Sequence, residues 1–89
     1  MTALTETEIL QALRTYCAEN FLYMRPDFVL EDDVNLLKAG VLDSMGVMEL
    51  VGFLDERFGV VPADSEMTEQ NMGSLRAISA LVLHRLNAS

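Results

Sequence analysis

The chain has 89 residues, 51% of them hydrophobic and 22% charged, with six Lys and Arg against fourteen Asp and Glu and a net charge of −8. That is the profile of one small folded domain, residues 1–89, too apolar for an acidic disordered tail. The acidity argues against DNA, RNA or an anionic membrane as partner, because each requires a basic surface, and favours partners with basic patches. Cys17 is the one cysteine, so neither a disulfide framework nor a multi-cysteine zinc site can be built. The acidic start of the chain lacks the basic and apolar parts of a signal peptide, and no uncharged apolar run reaches bilayer length. A reducing cytoplasm is the expected compartment.

The first helix is expected from Thr5 or Thr7 to Phe21. Thr5 and Glu8 have capping-box spacing, and Ile9, Leu13, Tyr16, Cys17 and Phe21 recur at helical intervals. Arg25-Pro26 is expected to end it, since a residue before proline avoids the helical region. A long connection then runs from about Pro26 to Asp43. It holds Glu31-Asp32-Asp33, whose acids lack the alternation and central glycine of a calcium loop. Its apolar pairs, Leu36-Leu37 and Val41-Leu42, are expected to pack down onto the core.

The second helix is the clearest, from Ser44 to about Phe58, with Gly59 and Pro62 as stop signals. Val47, Leu50, Val51, Leu54 and Phe58 form its inward stripe. Met45, Met48, Glu49, Gly52, Asp55 and Glu56 form an outward strip of methionine and carboxylate. A short third helix is expected around Ser65 to Asn71. The last should be capped by Ser74 and run to about Leu86, burying Leu75, Ile78, Val82 and Leu86. No strand alternation is present, so the reading is all-α, four helices around one core.

The charge is localised. Residues 27–66 carry ten acids against Lys38 and Arg57, while four acids and four arginines balance in the flanks. The whole −8 therefore sits in the long connection, the second helix and the turn after it.

Asp43-Ser44 at the start of the second helix admits two readings. Both residues could simply be caps. Alternatively, Ser44 offers a hydroxyl at the positive end of a helix, where an attached phosphodiester would lie beside unpaired N–H groups. Leu42-Asp43-Ser44-Met45, then Glu49-Leu50-Val51, Leu54-Asp55-Glu56-Arg57-Phe58-Gly59-Val60, Pro62 and Ser74-Leu75-Arg76-Ala77-Ile78 together resemble the acyl and peptidyl carrier proteins. The resemblance spans about Ile9 to Leu86. It implies a four-helix carrier bundle with a long first connection and a short third helix, non-catalytic and monomeric.

By that resemblance Ser44 takes a 4′-phosphopantetheine arm from coenzyme A through a phosphopantetheinyl transferase, and Asp43 matches the acid that assists that transfer. The arm would hold an acyl or aminoacyl thioester, with a loading ligase or adenylating enzyme and downstream transferases or tailoring enzymes as partners. Met45, Met48, Glu49, Gly52, Asp55 and Glu56 would be the docking face, with methionine suited to several partners. Gly46 and Arg57 stand where fatty-acid-synthesis carriers often have acids, and Gly52 where they have a larger apolar residue. The pattern is closer to stand-alone aminoacyl and D-alanyl carriers, or to carriers of natural-product assembly. Phe53, on the outer flank, is expected to contact a partner or to cover residues 33–41. The competing reading is an unmodified acidic adaptor that binds a basic partner through the same helix face. Cys17 is read as a buried small hydrophobe and His84 as a solvated side chain. No catalytic residue or metal site is expected.

Overall fold

The computed structural model describes residues 4–25 and 27–87, which contain four α-helices and no strand. They are α1 (Glu6–Phe21), α2 (Ser44–Phe58), α3 (Glu69–Met72) and α4 (Leu75–Asn87). No helix among the described residues is long and apolar enough to cross a membrane.

The capping box starts α1 as expected. Thr5 Oγ accepts from the Glu8 N–H at 3.2 Å, and Glu8 Oε1 accepts from the Thr5 N–H at 3.2 Å. The helix ends at Phe21, where the Leu22 N–H turns back to the Cys17 carbonyl at 3.2 Å. This local turn, rather than Arg25-Pro26, stops it. Arg25 already lies beyond the helix, and Pro26 is outside the described residues.

Three helices fill the core. Ile9, Leu13 and Cys17 of α1, Leu50 and Leu54 of α2, and Leu75, Ile78 and Val82 of α4 are fully buried. Each large apolar side chain buried this way stabilises the fold by about 1.5–3 kcal/mol. Val47, Val51 and Phe58 pack partly buried against this cluster, so the inward stripe of α2 is the predicted one. Leu86 is only partly buried, where full burial was expected.

The connection before α2 is pinned rather than loose. Leu36 is fully buried, its N–H donates to the Gly73 carbonyl at 2.8 Å, and its carbonyl accepts from Val41 and Leu42 at 2.9 and 3.1 Å. Gly40 closes this turn at φ 75°, a left-handed conformation that favours glycine. Val41 and Leu42 pack inward as predicted, whereas Leu37 stays exposed.

The expected third helix is divided. A 3-10 turn covers Asp64–Glu66, and α3 is a single turn from Glu69. Thr68 separates them by adopting an extended conformation (φ −116°, ψ 160°) and accepting from the Asn71 N–H at 3.2 Å. A cap residue inside the predicted segment restarts the helix there. Ser74 caps α4 as expected, accepting from the Ala77 N–H at 3.1 Å.

Burial pushes the Cys17 thiol up to about 12 from its usual 9.0. The folded state therefore favours the neutral thiol, and its contribution is complete below the unfolded value and lost as pH climbs toward the folded one. The contribution of Cys17 to thermal stability should hold up to pH 9.0 and decline between there and about 12. The expected slope is up to about 1.4 kcal/mol per pH unit. Cys17→Ala should flatten the decline in melts recorded across that window. An undiminished slope in that variant would contradict the assignment.

Candidate functional site

The start of α2 separates the two polar residues that could both have been caps. Asp43 is the cap: its backbone is extended (φ −119°, ψ −173°) and its Oδ1 accepts from the Gly46 N–H at 2.7 Å. Ser44 is the first helical residue, exposed, and its hydroxyl makes no hydrogen bond among the described residues. A carboxylate thus completes the helix end and leaves the hydroxyl free in a region of unpaired N–H groups and positive dipole.

Gly46 holds this turn down on α1. A Cβ there would lie 3.3 Å from Phe21 Cε1, Leu42 Cδ2 and Asp43 Oδ1. The position is buried, so an acid at 46 is not simply missing from the docking surface. In this chain the space belongs to the Phe21 ring. Arg57, by contrast, is exposed.

Beside the hydroxyl lies a shallow, mostly apolar depression lined by Ser44, Met45, Met48 and Glu49. The two methionines are 75% and 64% exposed, far more than methionines used only for packing. Glu49, Gly52 and Glu56 border a second depression with Tyr16, Asn20 and Phe53. Asp55 is exposed and lies outside both. The predicted outward strip is therefore one accessible face, with five of its six residues lining two adjoining hollows.

Phe53 does not cover the connection at 33–41. Its ring stacks on Tyr16 of α1, with centroids 4.1 Å apart and planes at 17°, and meets Phe58 edge-on at 6.1 Å. Tyr16 also meets Phe21 edge-on at 5.7 Å and donates its hydroxyl to the Glu49 carbonyl at 3.2 Å. Burial, then the charges of Glu49, Cys17 and Glu56, raise the Tyr16 hydroxyl above its usual range. Tyr16 and Phe21 are the site-supporting residues that sequence reasoning missed. Their helical spacing placed them on α1, and the concentration of four aromatic residues in two predicted helices was the available signal.

Part of the negative charge is tied down by arginines. Arg14 pairs with Asp32, and Arg76 meets Asp33 at 2.7 Å, Asp32 at 3.7 Å and Glu6 at 4.0 Å. Arg85 pairs with Glu66. These arginines come from the electrically neutral flanks and fasten the connection and the 3-10 turn to α1 and α4. Asp32, Asp33 and Glu66 are thus partly engaged in holding the fold, although exposed pairs contribute little each. Glu49, Asp55 and Glu56 form no ion pair among the described residues. His84 is exposed, and among the described residues no group of three metal-ligating side chains converges.

Gly52 offers a clean local test. A Cβ there meets nothing within 4 Å, and helix-interior glycine is about 0.5–1 kcal/mol less favourable than alanine. Gly52→Ala should therefore raise the melting temperature by about 2–8 °C. A lowered value in calorimetry would show that the open space is needed for folding.

A helical bundle that frees a serine hydroxyl at the head of an acidic, methionine-bearing helix has the layout expected of a carrier protein. No family model matches the chain. A D-alanyl carrier protein of Abiotrophia defectiva is 32% identical over 84 residues, covering 93% of this chain and 98% of that protein. D-alanyl carrier proteins of two Streptococcus suis strains, 98HAH33 and 05ZYH33, are 33% and 32% identical over 75 residues, covering 79% of this chain and 95% of each relative. The chain belongs to the carrier-protein family, on the side of the stand-alone D-alanyl carriers.

Proposed function

We propose that Ser44 carries a 4′-phosphopantetheine arm and that the protein presents an aminoacyl group of the D-alanyl type to separate enzymes. The observation that carries this reading is the exposed, unbonded Ser44 hydroxyl beside a cap supplied by Asp43. The residues present fit such a group. The hydroxyl is accessible, the helix start favours a phosphodiester anion, and Met45 and Met48 offer an apolar surface to the adjoining chain. When attached, the arm supplies a terminal thiol that holds the cargo as a thioester.

The chain's own contribution is then positional. Asp43 fixes the first turn of α2, so Ser44 is held outward for a phosphopantetheinyl transferase. Met45, Met48, Glu49, Gly52, Asp55 and Glu56 form the docking face for that transferase, for an adenylating ligase that loads the cargo, and for downstream transferases with basic patches. Methionines adapt to different partners, while the carboxylates steer encounter. Catalysis resides in the partners, and tethering keeps the cargo at high effective concentration near whichever of them docks.

Loading of the holo-protein tests the reading. With a D-alanine-adenylating ligase, ATP and labelled D-alanine, the wild type should acquire label that hydroxylamine releases, and Ser44→Ala should acquire none. Label that resists hydroxylamine, or that persists in Ser44→Ala, would overturn it. Reversing Glu49 and Glu56 to lysine together should slow loading about tenfold at low salt and less at high salt, with helical circular dichroism unchanged. Equal rates at low salt would show that partners dock elsewhere.

A further inference from the structure

We propose that the groove between α1 and α2 is a docking surface in its own right, and that its occupant is a partner-enzyme helix with an apolar stripe flanked by arginine or lysine. The identity of the partner as an enzyme acting at Ser44 rests on the carrier reading; the chemistry of the groove does not.

The groove is continuous with the site already described. Glu49 lines both the depression beside Ser44 and the one over Gly52. Tyr16 and Phe53 are shared between the latter and a third depression, which reaches Gln11, Thr15 and Glu19 on α1 and Arg57 on α2. The floor is the stacked Tyr16–Phe53 pair. Phe53 lies nine residues beyond Ser44, about 13 Å along the helix axis. An enzyme whose active site receives an arm from Ser44 can therefore extend over it.

The lining defines the occupant. The stacked rings match an apolar stripe, and the remaining, more polar lining carries Glu19, Glu49 and Glu56 against the lone Arg57. None of these three carboxylates is in an ion pair among the described residues, unlike Asp32, Asp33 and Glu66, which are tied by Arg14, Arg76 and Arg85. The rim charge is thus free to meet cations flanking the stripe. Glu49 and Glu56 both act on the Tyr16 hydroxyl, so the field of the rims reaches the floor. Gly52, with open space where a Cβ would stand, widens the entrance from the Ser44 side. This surface also gives Phe53 a partner role that engages α1 as well as α2.

The test is a nuclear magnetic resonance titration of the 15N-labelled protein with a synthetic amphipathic helix bearing a leucine stripe flanked by arginines. The largest shift changes are expected at residues 11–19 and 49–57. Glu19→Lys should weaken binding at least about fivefold, while Asp64→Lys, an equal charge change away from the groove, should weaken it less than about twofold. Shifts confined to the Ser44 end, equal losses in the two variants, or no saturable binding would each overturn the proposal. Intact mass of the same preparation after treatment with coenzyme A and a phosphopantetheinyl transferase reads the carrier claim separately. Modification without groove binding overturns the groove alone, and groove binding without modification overturns the carrier reading alone.

Discussion

Leu36→Ala should lower the stability of the fold by about 2–5 kcal/mol, a large share of what a domain of this size possesses. Leu36 is not on a helix, yet it is fully buried, and both its backbone groups are used. Its N–H holds Gly73 ahead of α4, and its carbonyl gathers Val41 and Leu42 ahead of α2. Removing the side chain leaves a void at the point where the connection is tied to the last helix. Melting should fall by at least about 10 °C, as judged from the usual shift per kcal/mol for small domains. Leu37→Ala, at a position 44% exposed, provides the comparison and should change stability by less than about 0.5 kcal/mol. Equal melting temperatures for the two variants would show that Leu36 does not anchor the connection.

Gly46→Glu should be the second severe change, costing about 2–4 kcal/mol through overpacking and burial of a charged group. The added Cβ would press on Phe21, Leu42 and the Asp43 carboxylate, all at 3.3 Å. The new side chain would also start against the Asp43 carboxylate, whose oxygen caps the helix. Gly46→Ala separates the two contributions, because its improved helix propensity of about 0.5–1 kcal/mol offsets part of the tight contact. Urea unfolding should therefore rank wild type and Gly46→Ala close together and Gly46→Glu well below. A Gly46→Glu protein as stable as wild type would mean that the turn lifts off Phe21 without penalty.

These two positions show where sequence reasoning was strong and where it stopped. The period-3.6 stripe Val47, Leu50, Val51, Leu54 and Phe58 depends only on local spacing, so α2 and its outward strip were legible in advance. The capping box at Thr5 and the cap at Ser74 are equally local. Leu36 was read as packing onto the core, as it does, but the hydrogen bond to Gly73 that ties it there comes from far along the chain. Gly46 was read only as standing where fatty-acid-synthesis carriers often have an acid, and helical phase alone did not reveal that Phe21 occupies the adjoining space. Of the two expectations for Phe53, cover over residues 33–41 gave way to a stack on Tyr16 for the same reason: which helix lies beside its flank is a tertiary fact. Charge counting located the acidic segment but could not show that Arg14, Arg76 and Arg85 reach back to engage part of it. Glu49, Asp55 and Glu56 on α2 and Glu19 on α1 are among the carboxylates that form no ion pair among the described residues.

Ser44 is the point on which the functional account turns. The apo-protein, incubated with coenzyme A and a broad-specificity phosphopantetheinyl transferase, should gain the mass of one phosphopantetheine, localised by peptide fragmentation to Ser44, and Ser44→Ala should gain nothing. No gain in the wild type, or a gain that survives Ser44→Ala, would contradict the account.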